Sequence, residues 1–276
     1  MTVDTRIDSG SSLGELVAAC PARAHLFERL RLDYCCGGHQ SLAEACAKRG
    51  LALHDVLAAL EALGEGGGTE SRDWRAVGLG ELCAHIVTVH HDGLRETFPR
   101  LERLFGTVVR VHGDSEPRLA DARRLFDAIR SDLEPHLASE ENELFPACVA
   151  SERTGTAIDE QLLAQHEAEH AEIGHALAAL RVFCGDYDRG AALCATHRTL
   201  LDALEAFERD LHRHVHEENN ILLPRARRAG PTPGAQPAPA PGHRPDTGGP
   251  DDDLPACCEG WLAEQAHGWA ARRRRP

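Results

Sequence analysis

Two stretches of the chain repeat one spacing of nitrogen and oxygen donors. One is His136-x-x-x-Glu140, followed by Leu144 and Pro146; the other is His214-x-x-x-Glu218, followed by Leu222 and Pro224. In each, Glu follows His by four residues, Leu by eight and Pro by ten. Four residues make about one helical turn, so each His shares a helix face with its Glu. Imidazole and carboxylate converging from facing helices are donors for a first-row metal ion.

The elements that must position these donors are helices. Residues 73–228 carry four long helical patterns, at about 78–110, 116–150, 157–184 and 189–228, with breaks near Gly113 to Pro117, Gly155, and Gly185 to Gly190. Short connections between long amphipathic helices predict an all-α fold containing an up-down-up-down four-helix bundle. The second and fourth helices then run parallel, and the two His-Glu pairs lie at one depth. Both pairs fall on apolar stripes: Phe126, Ile129, Leu133, His136, Glu140 and Ala147 on one helix, and Leu193, His197, Leu200, Leu204, Phe207, Leu211, His214, Glu218 and Ile221 on the other. A carboxylate in such a stripe is costly unless compensated, and two facing each other repel. A metal ion removes both costs. On the first helix the stripe of Val87, Leu94, Phe98, Leu101 and Phe105 includes His91. On the third, Leu163, Ile173, Leu177, Leu180 and Cys184 share theirs with two candidates, His166 and His170. Depth in an antiparallel partner favours His170 only weakly.

Four imidazoles and two carboxylates, with no thiolate, exceed what one tetrahedral zinc accepts. In a bundle core they favour a pair of iron ions, with manganese second. Glu140 and Glu218 would bridge the ions, and the four His would cap them, leaving positions for a small diatomic ligand. The spacing differs from the Glu-x-x-His pattern of ferritin-like sites. His197 and His166 read as core histidines held by hydrogen bonds. His85, His90, His175, His212 and His216 read as solvated or lying behind the ligands. Glu141, Glu143, Glu217, Asp92 and Glu169 read as mostly exposed charges, with Glu169 or Asp92 placed to orient an imidazole.

Ahead of the bundle, residues 11–63 read as a small helical unit. Ser12 precedes an apolar turn, Pro21 suits the first position of a second helix, and Ser41 with Glu44 forms a capping box for a helix over 42–48, before a last helix over about 53–63. Residues 64–72 are a Gly-rich linker, and residues 229–276 are Pro/Gly-rich and expected to be disordered. The tail holds Cys257, Cys258, Trp261, Trp269 and the run Arg272 to Arg275. It suggests a frayed, solvated end, and no function is drawn from it.

Over 276 residues the formal net charge is -14. This argues against nucleic acid and anionic membranes as bulk partners. No apolar run is long enough to span a bilayer, and the polar first ten residues lack a secretory pattern, so a cytoplasmic location is expected. Ten Cys without a CxxC pair suggest reduced thiols rather than a disulfide framework or zinc ribbon.

The motifs Asp33-Tyr34-Cys35-Cys36-Gly37-Gly38, Asp73-Trp74-Arg75, His91-Asp92, His136-x-x-x-Glu140, Glu169-His170 and His214-x-x-x-Glu218-Asn219-Asn220, with Pro224-Arg225-Ala226, occur together. In this combination the chain resembles the iron-sulfur cluster repair di-iron proteins, also called regulators of cell morphogenesis and nitric-oxide signalling, whose bundle is hemerythrin-like. The resemblance implies His91, His136, Glu140, His170, His214 and Glu218 as ligands of a carboxylate-bridged pair of irons, and so selects His170 over His166. It also implies homodimeric cytoplasmic proteins that restore iron-sulfur clusters damaged by nitric oxide or oxidants. His90 departs from the family pattern, which carries an aromatic there, and the tail after Ala229 has no counterpart.

Cys35 and Cys36, followed by two Gly, are expected on a pliable exposed loop. A vicinal disulfide between them would be strained. Their thiolates suit redox exchange, contact with a damaged cluster, or relay of iron. Cys20, Cys46, Cys83, Cys148, Cys184 and Cys194 read as small core residues. Three functions are open: repair, with the centre as iron source or redox agent; reversible binding or sensing of oxygen or nitric oxide; and reduction of nitric oxide or peroxide. The Cys loop favours the first, since a simple carrier does not need it.

Overall fold

Four short helices open the chain: α1 (Leu13–Ala19), α2 (Arg23–Leu30), α3 (Leu42–Lys48) and α4 (Leu53–Ala62). The computed structural model describes residues 7–63 and 72–229. The expected linker, apart from residue 72, and the tail beyond residue 229 lie outside the described residues. Ser12 caps α1, and Ser41 and Glu44 form the full capping box at α3. Pro21 stands two residues ahead of α2 rather than at its first position; Ala22 is the cap. Leu13, Phe27, Leu42 and Leu60 are fully buried in the core these helices share. Ser12 and Ser41 form an isolated antiparallel bridge that ties α1 to α3.

Four long helices follow among the described residues. α5 spans 79–112, α6 118–154, α7 Glu160–Phe183 and α8 195–229. α5 packs on α6 and α8, and α7 on α6 and α8, giving the bundle. α8 begins at Ala195 rather than near residue 189, because two 3-10 turns, Gly185–Tyr187 and Arg189–Ala191, fill the approach. Leu193 lies there, exposed, and is not part of the inward stripe. Phe98, Phe105, Phe126 and Phe207 pack as an aromatic cluster, with centroids 5.4–6.1 Å apart. Among the described residues no helix is long and apolar enough to cross a membrane.

Three of the four long helices widen by one residue at the same level. The π turns are Val87–His91 in α5, Glu140–Leu144 in α6 and Glu218–Leu222 in α8. Pro146 and Pro224 stand two residues after the last residue of two of them. Neither proline can donate to the carbonyl four residues back, and its ring crowds that carbonyl, so a wider turn accommodates it. The extra residue rotates the remainder of each helix: beyond Glu140 the buried positions are Leu144, Phe145, Cys148 and Ser151, while Ala147 is half-buried. In α5 the widening buries His90 and His91 together.

Candidate metal centre

The six candidate ligands meet in the bundle core. His91, Glu140, His170, His214 and Glu218 are 0–1% exposed, and His136 is 6% exposed. Their donor atoms form two groups: His91, His214, Glu140 and Glu218 in one, and His136, His170 and Glu140 in the other. Each carboxylate spans both. Glu140 Oε2 lies 3.4 Å from His91 Nε2, while its Oε1 lies 3.1 Å from His136 Nε2 and 3.4 Å from His170 Nε2. Glu218 Oε1 lies 3.1 Å from His214 Nε2, and Oε2 3.2 Å from His170 Nε2.

The outer nitrogens fix the tautomers. His136 Nδ1 donates to Glu169 Oε2 at 2.7 Å, and His91 Nδ1 to Glu141 Oε1 at 2.7 Å. His170 Nδ1 donates to Asn219 Oδ1 at 2.8 Å; the Asn219 amide nitrogen is directed at the Cys35 carbonyl, so its oxygen must be the acceptor. With protons held on Nδ1, neutral rings present Nε2 lone pairs inward. His136 Nε2 and His170 Nε2 stand 3.0 Å apart. Two nitrogens about 2.1 Å from one first-row ion, at a right angle, would stand about 3.0 Å apart. Both oxygens of Glu140 and Oε2 of Glu218 are buried without an aligned hydrogen-bond donor among the described residues, close as the ring nitrogens are. Converging lone pairs and unsatisfied buried carboxylates fit cations and little else.

The electrostatics agree. Burial lowers the pKa of His136, but Glu140 and Glu169 overcome it and push it up to about 9. Burial likewise opposes, and carboxylates outweigh it in, the raised pKa values of His91 and His170. Burial and Glu140 raise Glu218, yet His214 and His170 bring it down to about 2. Burial also raises Glu140, but His136, His170 and His91 take it well below the carboxylate range. A cation bound there must displace the protons that the carboxylates favour on His91, His136 and His170.

The orienting residues differ in part from expectation. Glu169 holds His136, but Asp92 pairs with Arg95 at 3.0 Å, and Glu141 holds His91 instead. His197 accepts from the Leu193 amide at 3.2 Å. His166 is fully buried and neither ring nitrogen has a hydrogen-bond partner among the described residues; its Nδ1 lies 3.8 Å from Glu140 Oε1, so it borders the site rather than serving as a satisfied core histidine. Of the two places expected for His90 and His216, solvent or behind the ligands, the first is excluded: both are buried, and His90 stacks on His214. A largely apolar pocket of about 690 Å³, lined by Val87, Phe145, Val149 and Glu141 among others, is separated from His91 by Phe145, on which the His91 ring stacks at 5.6 Å, and by Glu141.

The Cys35-Cys36 loop is neither exposed nor remote from the ligands. Cys35 is buried and Cys36 half-buried. Asp33 Oδ1 accepts from both backbone amides, at 3.1 and 2.9 Å. Cys36 Sγ lies 3.5 Å from the His170 carbonyl oxygen. Asn220 donates to the carbonyls of Tyr34 at 3.2 Å and Cys35 at 2.9 Å. A Cβ on Gly38 would fall on the Asn220 amide, which gives the second glycine of the motif a physical reason. The two sulfurs are 3.9 Å apart as free thiols. Hydrogen bonding to Cys36, burial and the nearby Asp33 raise the Cys35 thiol well above its ordinary pKa.

Residues 84–226 match the hemerythrin HHE cation binding domain, and residues 9–64 match a domain of unknown function (DUF542). The chain is 34% identical over 217 residues to the iron-sulfur cluster repair protein YtfE of Pectobacterium atrosepticum, covering 79% of this chain and 96% of that protein. It is 35% identical to the protein of that name from Dickeya chrysanthemi, with the same coverage, and 32% identical to that from Salmonella newport, covering 78% of this chain and 95% of that protein.

Proposed function

The chain belongs to the hemerythrin-like iron-sulfur cluster repair protein family, and from that premise we propose that it is a di-iron protein that repairs iron-sulfur clusters damaged by nitric oxide or oxidants in the cytoplasm. The observation that carries the reading is the splitting of each buried carboxylate between two sets of imidazoles. His91 and His214 would hold one ion and His136 and His170 the other, with Glu140 and Glu218 placed between the two sets. Iron held there supplies either the metal or the electrons for rebuilding a cluster. The donor set of imidazole and carboxylate, without thiolate, supports iron over zinc.

The protein's own residues do three things. Glu169, Glu141 and Asn219 keep Nδ1 protonated and aim the Nε2 lone pairs inward. The apolar packing around Phe145 and Leu144 excludes water from the carboxylates. Asn219 joins His170 to the Cys35 carbonyl, so one of the contacts between the unit over 11–63 and the bundle over 73–228 ends directly on a candidate ligand. The Cys36 thiol, less buried than Cys35, is the group that meets the client, a damaged iron-sulfur protein. The pocket that ends on Phe145 and Glu141, the two neighbours of His91, favours a second reading, in which small diatomic molecules such as nitric oxide or oxygen reach the centre for binding or reduction.

The test is a Cys35→Ser, Cys36→Ser double variant. It retains its iron, because serine leaves all six ligands in place, and it loses most of the ability to restore a nitric-oxide-damaged iron-sulfur enzyme. Restoration at the wild-type rate would remove the loop from the mechanism and favour the second reading. Loss of iron would make the loop part of the metal site.

A further inference from the structure

A second cluster of donors lies one residue to the side of the centre on both α5 and α8. His85 Nε2 is 3.3 Å and His90 Nε2 3.5 Å from the same atom, Glu217 Oε2. The three donor atoms lie within 4.8 Å of one another. His90 is 3% exposed, and its Nε2 and Glu217 Oε2 have no aligned hydrogen-bond partner among the described residues. Behind it, His90 Nδ1 lies 3.3 Å from Asp210 Oδ1. This repeats the arrangement at the centre: a carboxylate on the outer nitrogen and a lone pair on the inner one.

The cluster has an open side and a closed side. The side chains of His85 and Glu217 are 19% and 15% exposed. Trp74 stacks on the outer face of His85, with centroids 3.8 Å apart and planes at 24°. Its carbonyl accepts from Arg225 Nη1 at 2.7 Å, which pins the Asp73-Trp74-Arg75 turn to α8. On the closed side His90 lies flat against His214, at 5.3 Å and 6°. Solvent, Trp74, His85, His90 and the centre therefore stand in sequence.

Two imidazoles and one carboxylate on one side of a cation, with the remaining positions open, are the donor set of mononuclear Fe2+ and its first-row neighbours. We propose that His85, His90 and Glu217, with Asp210 orienting His90, form a third, mononuclear site for a divalent cation of the Fe2+ class, placed between solvent and the paired centre. Its role as a waypoint for iron rests on the repair reading; its existence as a site does not. The competing occupant is a proton. A cation bound there displaces any proton shared between these rings and Glu217.

Trp74 supplies the readout. In full-length, iron-loaded protein carrying Trp261→Phe and Trp269→Phe, Trp74 is the one remaining indole of the three in the chain. Titration with Co2+ at about pH 8, where proton competition is weaker, quenches its emission saturably with one equivalent per chain. Glu217→Gln abolishes the quench. Asp210→Asn, which alters a more exposed residue and leaves the three donors, weakens Co2+ binding 10- to 100-fold. Iron content is measured alongside, so failure of the paired-iron reading shows as missing iron while the Co2+ titration stays readable. Emission unmoved by excess Co2+, or quenching equal in wild type and both variants, overturns the site and leaves the proton as its occupant.

Discussion

Replacement of Glu169 tests whether the outer hydrogen bonds aim the centre. Glu169 Oε2 takes the His136 Nδ1 proton at 2.7 Å, while its Oε1 is held by Gln165 at 3.1 Å, so the carboxylate is itself fixed. Its bond to His136 lowers the Glu169 pKa to about 2, and it is ionised at neutral pH. Glu169→Gln keeps an acceptor for Nδ1 but removes the charge that makes the ring more basic. Glu169→Ala removes both, and frees His136 to turn or to carry its proton on Nε2. Outer partners of metal-bound histidines are worth 10- to 100-fold in affinity. The Gln variant is expected near the lower limit, about 1.4 kcal/mol, and the Ala variant near the upper, about 2.8 kcal/mol. Competition with a chromophoric iron chelator reads this as earlier loss of one ion of the pair. Asp92→Asn serves as control, since Asp92 meets Arg95 and not His91. Retention of both ions by Glu169→Ala, or an equal loss in Asp92→Asn, would refute the reasoning.

Two further outcomes are expected. His197→Ala leaves the iron content unchanged, because His197 sits about 25 Å along α8 from His214; equal loss of iron from this variant and from His214→Ala would show the depth argument to be wrong. Burial raises the pKa of Glu28, but its bonds to His212 at 2.9 Å and to Tyr34 at 2.9 Å hold it below 4.5, so its stabilisation is complete above pH 4.5 and lost as the pH falls further. Glu28→Gln should therefore lower the unfolding midpoint at neutral pH and converge with wild type in acid, whereas a gap independent of pH would contradict the assignment.

Helix number, bundle order and the six inward donors are legible in the sequence because burial at period 3.6 and the repeated His-Glu spacing report one physical fact. The π turns are not legible, since one extra residue per turn breaks that period. This is why the periodicity takes His90 off the inward stripe, solvated or behind the ligands, and puts Ala147 on it, where the structure buries His90 behind His214 and leaves Ala147 half-buried. Pro146 and Pro224, at matching places in the repeat, carry the available signal; α5 has no such proline after Val87–His91, and we have no sequence account of its widening. The tertiary partners are equally hidden. Asp92 and Glu141 are both acidic and near a helix face, and only the packing of α5 on α6 selects Glu141 for His91. Two glycines after the Cys pair suggest a pliable, exposed turn; Gly38 instead permits close approach to Asn220, which sequence spacing cannot reveal.

The central claim is a pair of irons on six named side chains, and elemental analysis of purified protein from iron-rich medium tests it most directly. About two irons per chain are expected, from the division of the donors into two sets, with a near-ultraviolet absorption that disappears when iron is removed. Glu140→Ala and Glu218→Ala should each lower that content. One zinc and no iron per chain, or two irons retained in both variants, would contradict it.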